Sequence, residues 1–365
     1  MLAAALCLVN ACVSVQRSGP LTQERAWRAY LGSALRAPMA RESVNANPQP
    51  VWRTDLGRGI VGGPALAEDV AAISQIDRQV ALLDRATGEV IWRRRLPNMV
   101  GAGPLLTDDR VFVATQTSTG RVYALRLTTG KPIWSAAVGD VAAPLALGET
   151  ELYAGSMEGV VTQFSASNGE RNWRARLAGA VRSTPVAVPG GVAVATAADS
   201  VFLLDGANGA IRARRGTRGT VLAAPALFAD SLLLLGTTDG RLDALDARTF
   251  EARWGLDLGS GVVGSVAIRE RTAYALTNRG LLWIVPLDAP EHARSVAIGV
   301  VARAGPVPVS GGVFVCGVNG ELALFDEAGA RKWTTRLDPP VVEPVIVDGR
   351  LVLAVSQRGE VVAFR

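Results

Sequence analysis

Three kinds of residue recur along this 365-residue chain with one common step, and that step limits what the chain can fold into. Prolines stand at Pro64, Pro104, Pro144, Pro185, Pro225, Pro306 and Pro344, with Val266 where the series skips. Tryptophans follow at Trp52, Trp92, Trp134, Trp173, Trp254 and Trp333, with Ala213 and Ser295 on the vacant rungs. Gly120, Gly159, Gly240, Gly280, Gly320 and Gly359 each precede an alternating segment such as "GRVYAL", and Arg78 and Ser200 hold that place in the other two units. The step is about 40 residues, a length that cannot bury its own apolar face and must stack on copies of itself.

Each unit reads as four short strands. Strand A follows the proline, strand B resembles "RVFVAT", strand C resembles "RVYALR", and strand D ends near the tryptophan. Gly88, Gly130, Gly169, Gly209 and Gly329 lie between C and D, where a tight hairpin needs positive φ. Four antiparallel strands at this period are the mark of propeller blades, with the tryptophan placed to pack on the next blade. After Pro344 the chain has room for three strands only, near 341–348, 351–356 and 360–365, and it ends without a tryptophan. The missing strand is "VWRTDL", 51–56, at the other end of the repeat. The sequence therefore predicts an all-β, eight-bladed β-propeller of four-stranded antiparallel blades. An N-terminal strand closes it by pairing with the C-terminal blade, and this hides both sheet edges.

Apolar residues make up 49% of the chain and aromatics only 5%, so the core is expected to be aliphatic. The net charge is +5, carried by arginine, with Lys131 and Lys332 the only lysines. The arginines are scattered along the sequence rather than run together, so no stripe for nucleic acid or acidic lipid is expected. Cys7, Cys12 and Cys316 cannot make a disulfide framework or a cysteine metal cluster. His292 is the only histidine, which excludes multi-histidine metal sites.

The first twelve residues, "MLAAALCLVNAC", form a short apolar run suited to a signal peptide and too short to span a bilayer comfortably. "LVNAC" has the layout of a bacterial lipobox with Cys12 as the lipid-attachment residue; an ordinary secretory peptide is the alternative. The chain thus divides into 1–11, a lipoprotein signal peptide; 12–50, a lipid-anchored tether; and 51–365, the propeller. Within the tether, Trp27, Tyr30, Leu31 and Leu35 keep helical spacing, so that stretch is either a short amphipathic helix or a linker.

The pattern D-x-x-T-G-x-x-x-W, clearest over 84–92, resembles the tryptophan-docking motif of quinoprotein-type (PQQ-like) eight-bladed propellers. Compact blades of this kind behind a lipobox resemble the BamB family, the propeller lipoproteins of the outer-membrane β-barrel assembly machinery. That resemblance covers 51–365. It implies a non-enzymatic scaffold without a cofactor, lipid-anchored to the outer membrane on its periplasmic face. The implied partners are the barrel-forming subunit and unfolded outer-membrane proteins, and not nucleic acid. It also implies a partner contact at Arg182, three residues before Pro185, whose alternative is a solvated loop arginine. The family's acidic pair would fall near Thr220 and Leu222, and neither is acidic here. Outer strands could add an extended client segment by edge pairing.

Two other functions fit such a fold. A PQQ-dependent quinoprotein dehydrogenase needs oxygen ligands for Ca²⁺, a carboxylate base and, in that family, a vicinal cysteine pair, which this chain lacks. Asp84, Asp205, Asp246 and Asp326 lie in turns, where aspartate caps its own backbone. A generic periplasmic binding or scaffold propeller differs only in its partner. Cys316 and Trp283 read as buried strand residues rather than as a nucleophile and a ligand platform.

Overall fold

The computed structural model describes residues 44–67 and 69–365, which form eight four-stranded antiparallel sheets arranged as a propeller ring. Cys7, Cys12 and the helical spacing of the tether lie outside the described residues. Blades 1 to 7 span 65–95, 105–137, 146–176, 186–216, 226–257, 267–297 and 307–336. Blade 8 takes its inner three strands from Ile346–Asp348, Leu351–Val355 and Glu360–Phe364, and its outer strand from Pro50–Asp55. The closing strand pairs with Glu360–Phe364 through the contacts Trp52↔Ala363 to Asp55↔Glu360. The split blade expected from the sequence is therefore present, with its outer strand one residue earlier.

The core does not sit inside each sheet but between successive sheets. Alternate residues of strands B and C face opposite neighbours: Leu82 packs on blade 2, while Ala81 and Leu83 pack on blade 8. Both faces are buried, so these strands read as nearly continuous apolar runs rather than as strict alternation. Phe112, Phe164, Phe314 and Phe325 are the largest fully buried side chains.

Three rungs of the sequence ladders need correction. The tryptophan does not end strand D. It stands third in the strand, as in Val90–Arg95, because D must run on to match the full length of strand C. In blade 4 the positive-φ residue before strand C is Asp199 (φ 45°), not Ser200, which opens the strand itself. In blade 6 the docking rung is Arg294, not Ser295. Arg294 is the residue opposite Ile284, as Trp92 is opposite Leu82. The shift arises because seven outer strands carry a bulge just before their docking residue and blade 6 does not.

Candidate functional site

The tryptophans fasten blade to blade. Four of the six indoles lie over the C–D turn of the following blade and donate their N–H to one fixed carbonyl there. Trp52 donates to Arg85 at 3.0 Å, Trp92 to Leu127 at 2.7 Å, Trp134 to Ala166 at 3.3 Å and Trp173 to Gly206 at 3.0 Å. The turn glycines are required twice over. Gly169 has φ 76°, and a Cβ there would stand 2.4 Å from the Trp134 ring. Trp254 packs half-buried against the blade 5–6 core, and Trp333 meets Phe314 and Phe364 edge-on. Where blade 6 lacks a docking tryptophan, Arg294 donates to the equivalent carbonyl of Glu327 at 2.6 Å, and the Tyr274 hydroxyl donates to the Glu327 carboxylate at 2.8 Å. These residues hold the ring. Trp283 packs half-buried in the blade 5–6 core, and Cys316 is buried, which pushes its thiol up to about 12.

The turn aspartates act on their own backbones. Asp84 accepts the N–H groups of Ala86 and Thr87 at 2.9 and 2.8 Å, and Asp205 and Asp326 cap their turns likewise. Asp246 caps Arg248 and Thr249 and also bonds Arg253 at 2.6 Å. The Arg253 guanidinium and the two N–H groups hold this carboxyl down from 3.8 to about 2. Its contribution is full above the unfolded pKa of about 3.9 and is lost as pH falls through about 2. Asp246→Asn should therefore lose about 1 kcal/mol at neutral pH, a figure allowing for solvent screening, and nothing near pH 2. Urea titrations of both proteins across that range check it; a gap that does not close on acidification contradicts the assignment.

The opposite face gathers the D–A loops and the B–C turns. One main-chain bond repeats in all eight blades, from the first turn residue to the incoming loop: Ile76 to Gly59, Gln116 to Met99, Met157 to Asp140, Ala197 to Ala180, Thr238 to Thr220, Asn278 to Gly261, Val318 to Val301 and Gln357 to Pro340. This tie sets sixteen loops into one continuous platform. Ile76, Met99, Leu222 and Val301 stand exposed on it, Val301 at 60%. Arg182 lies exposed at the central mouth, lining a cavity of about 230 Å³ together with Leu222 and Glu343.

Thr220 and Leu222 lie in the loop entering blade 5, and the acidic groups beside them come from elsewhere. Thr220 donates its hydroxyl to Asp199 at 2.6 Å, and Asp239 accepts from Thr237 in the next turn. Both aspartates sit in B–C turns, so spacing from the prolines could not reveal them. A second carboxylate pair, Asp140 and Glu158, lies on blade 3, where burial and then the Glu158 charge raise the Asp140 pKa.

The mouth does not suit a quinone and its calcium. The cavity is smaller than the roughly 300–1,000 Å³ usual for organic ligands. Its lining is mostly glycine, alanine and valine, with Glu343 its single carboxylate. Among the described residues no three His, Cys, Asp or Glu side chains gather closely enough to hold a metal. Exposed His292 lies in the C–D connection of blade 6, at the other end of the ring.

Comparison with known proteins agrees with this architecture. The family model described as outer membrane protein assembly factor BamB matches residues 42–140, 118–273 and 269–365. The outer membrane protein assembly factor BamB of Burkholderia pseudomallei is 28% identical over 131 residues, 35% of this chain and 34% of that protein. Aligned segments span about a third to a half of the length of the curated relatives first matched. Among solved structures, BamB from Moraxella catarrhalis superposes with a TM-score of 0.73 at 14% identity, covering 87% of this chain and 99% of that one. Quinohemoprotein alcohol dehydrogenase from Comamonas testosteroni gives 0.77 at 14% identity, covering 94% and 81%. At such identities the likeness is one of fold alone.

Proposed function

Because this chain belongs to the family of outer membrane protein assembly factor BamB, we propose that it is a non-enzymatic scaffold of outer-membrane β-barrel assembly. In this reading it is anchored through Cys12 on the periplasmic side of the outer membrane and binds the barrel-forming subunit through its loop platform. The observation that carries it is the platform itself: a face braced by eight repeated main-chain bonds, with exposed apolar side chains around Arg182 and a small central mouth. Rigid, broad and half-apolar is what a docking face requires, since little ordering entropy is lost on binding. Arg182, with Asp199 and Asp239 nearby in the turns, gives the face a charge pattern that can fix a partner's register.

Unfolded clients also fit this face better than the outer strands. Seven of those strands are bulged and several are loaded with arginine, features that block edge pairing. The dehydrogenase reading rests on shared architecture with the alcohol dehydrogenase. The cavity size and its single carboxylate speak against it.

Affinity isolation from solubilised outer membrane tests the proposal. The native chain should recover the barrel-forming subunit, and the double variant Arg182→Glu, Leu222→Asp should recover at least about tenfold less, as expected for central interface residues. Recovery of other envelope proteins without that subunit would favour the generic scaffold. Saturable binding of the quinone by the same preparation would favour the enzyme.

A further inference from the structure

Arginines that look scattered in the sequence converge on the outer wall of the ring. The outer strands Val90–Arg95, Arg171–Arg176 and Ile211–Gly216, of blades 1, 3 and 4, carry three arginines each and no carboxylate. None of these nine makes an ion pair among the described residues; those with partners bond carbonyls or a hydroxyl, as Arg212 does to Gly190 and Arg176 to Glu158. Around the rest of the wall most outer-strand cations are neutralised locally: Arg53 by Glu360, Arg253 by Asp246, Arg294 by Glu327, Arg331 by Glu321 and Lys332 by Asp326. The wall is thus balanced on one side and strongly positive on the other. The outer strand between them in blade 2, Pro132–Ala137, is uncharged. Near the C–D end of this basic side, Ile133 and Ile211 are 37% and 52% exposed.

We propose that the outer wall of blades 1 to 4 is a docking surface for anionic phospholipid membranes. Arg93, Arg95, Arg174, Arg176, Arg212 and Arg215 meet the headgroup phosphates, and Ile133 and Ile211 reach the lipid boundary. The charge is complementary, and arginine pairs with phosphate oxygens in a fork that lysine cannot match. The shape agrees: the wall is the outside of the ring, and the arginines are spread over three of its blades. Single-stranded nucleic acid would need exposed aromatic platforms. The outer-strand tryptophans here, Trp92, Trp134 and Trp173, are committed to the next blade. The chain just before Pro50 runs along the C–D end, where Gln49 pairs with Arg365, and Val44 is buried against the ring. The surface does not depend on the assembly partner proposed above.

Co-sedimentation of the full chain with vesicles tests it, using phosphatidylcholine alone and phosphatidylcholine mixed equally with phosphatidylglycerol. The readout is the ratio of the two affinities, which cancels any contribution common to both vesicles. The native chain should prefer the anionic vesicles at least about tenfold at low salt, and less as salt rises. The variant Arg174→Glu, Arg176→Glu, Arg212→Glu, Arg215→Glu should lose that preference. A control reverses four exposed loop-face arginines, Arg218, Arg279, Arg303 and Arg358, to glutamate and changes net charge equally; it should keep most of the preference. Thermal melts confirm that each variant folds, and a wall variant that does not is replaced by the four corresponding glutamines. Equal loss in wall and control variants, or a native chain indifferent to phosphatidylglycerol, overturns the proposal. So does binding to polyglutamate or single-stranded DNA without binding to anionic vesicles.

Discussion

Deleting residues 50–55 should abolish cooperative thermal unfolding of the whole ring, not merely lower its midpoint. The strand supplies the last ladder of blade 8, and two further fastenings to blade 1 go with it. Trp52 donates to Arg85, and the Thr54 hydroxyl bonds Gly88 at 2.7 Å. Its Arg53 also neutralises Glu360, which is only 6% exposed. Arg53 is itself 60% exposed, so this pair contributes only about 1 kcal/mol, and each lost backbone or side-chain bond adds about 0.5–1.5 kcal/mol. That total approaches the 5–15 kcal/mol that typically holds a domain together. The deletion also bares the edge of Glu360–Phe364, so aggregation should replace reversible melting. Circular dichroism melts with light scattering read both effects; a clean two-state transition in the truncated chain contradicts ring closure as the source of stability.

Trp333→Ala should cost about 3–5 kcal/mol in urea unfolding, well above Trp92→Ala. Its ring is 9% exposed and touches Phe314 in its own blade and Phe364 in the next, with centroids 6.2 and 5.5 Å away. Removing it opens a cavity where the chain's two ends meet. Trp92, half-buried and farther from the seam, should cost less. If Trp92→Ala proved as costly as Trp333→Ala, the seam would have no special weight.

The blade count and the split blade were legible because proline, glycine and tryptophan each mark a backbone or packing requirement that recurs once per unit. Errors arose where a different residue met the same requirement. Asp199 tolerates the left-handed conformation that glycine holds elsewhere, and Arg294 reaches the carbonyl that an indole reaches elsewhere. Phe250, at φ 61°, likewise stands in a C–D turn where blades 1 to 4 and 7 use glycine. The expectation of scattered arginines failed for a geometric reason. Residues some 40 positions apart in the chain become neighbours only after the ring has closed, so a search for contiguous charge cannot find them. The acidic groups beside Thr220 were hidden for the same reason, since they come from turns rather than from the aligned loop.

The brace across the loop platform uses only amide hydrogens and carbonyl oxygens, in eight equivalent copies. Any residue can supply the carbonyl, as Pro340 does, and any residue but proline the N–H. Mutations on that face therefore alter what it recognises while leaving the wheel intact, and they can accumulate one at a time. A lineage built this way can drift to new clients or exchange partners without passing through a misfolded ancestor.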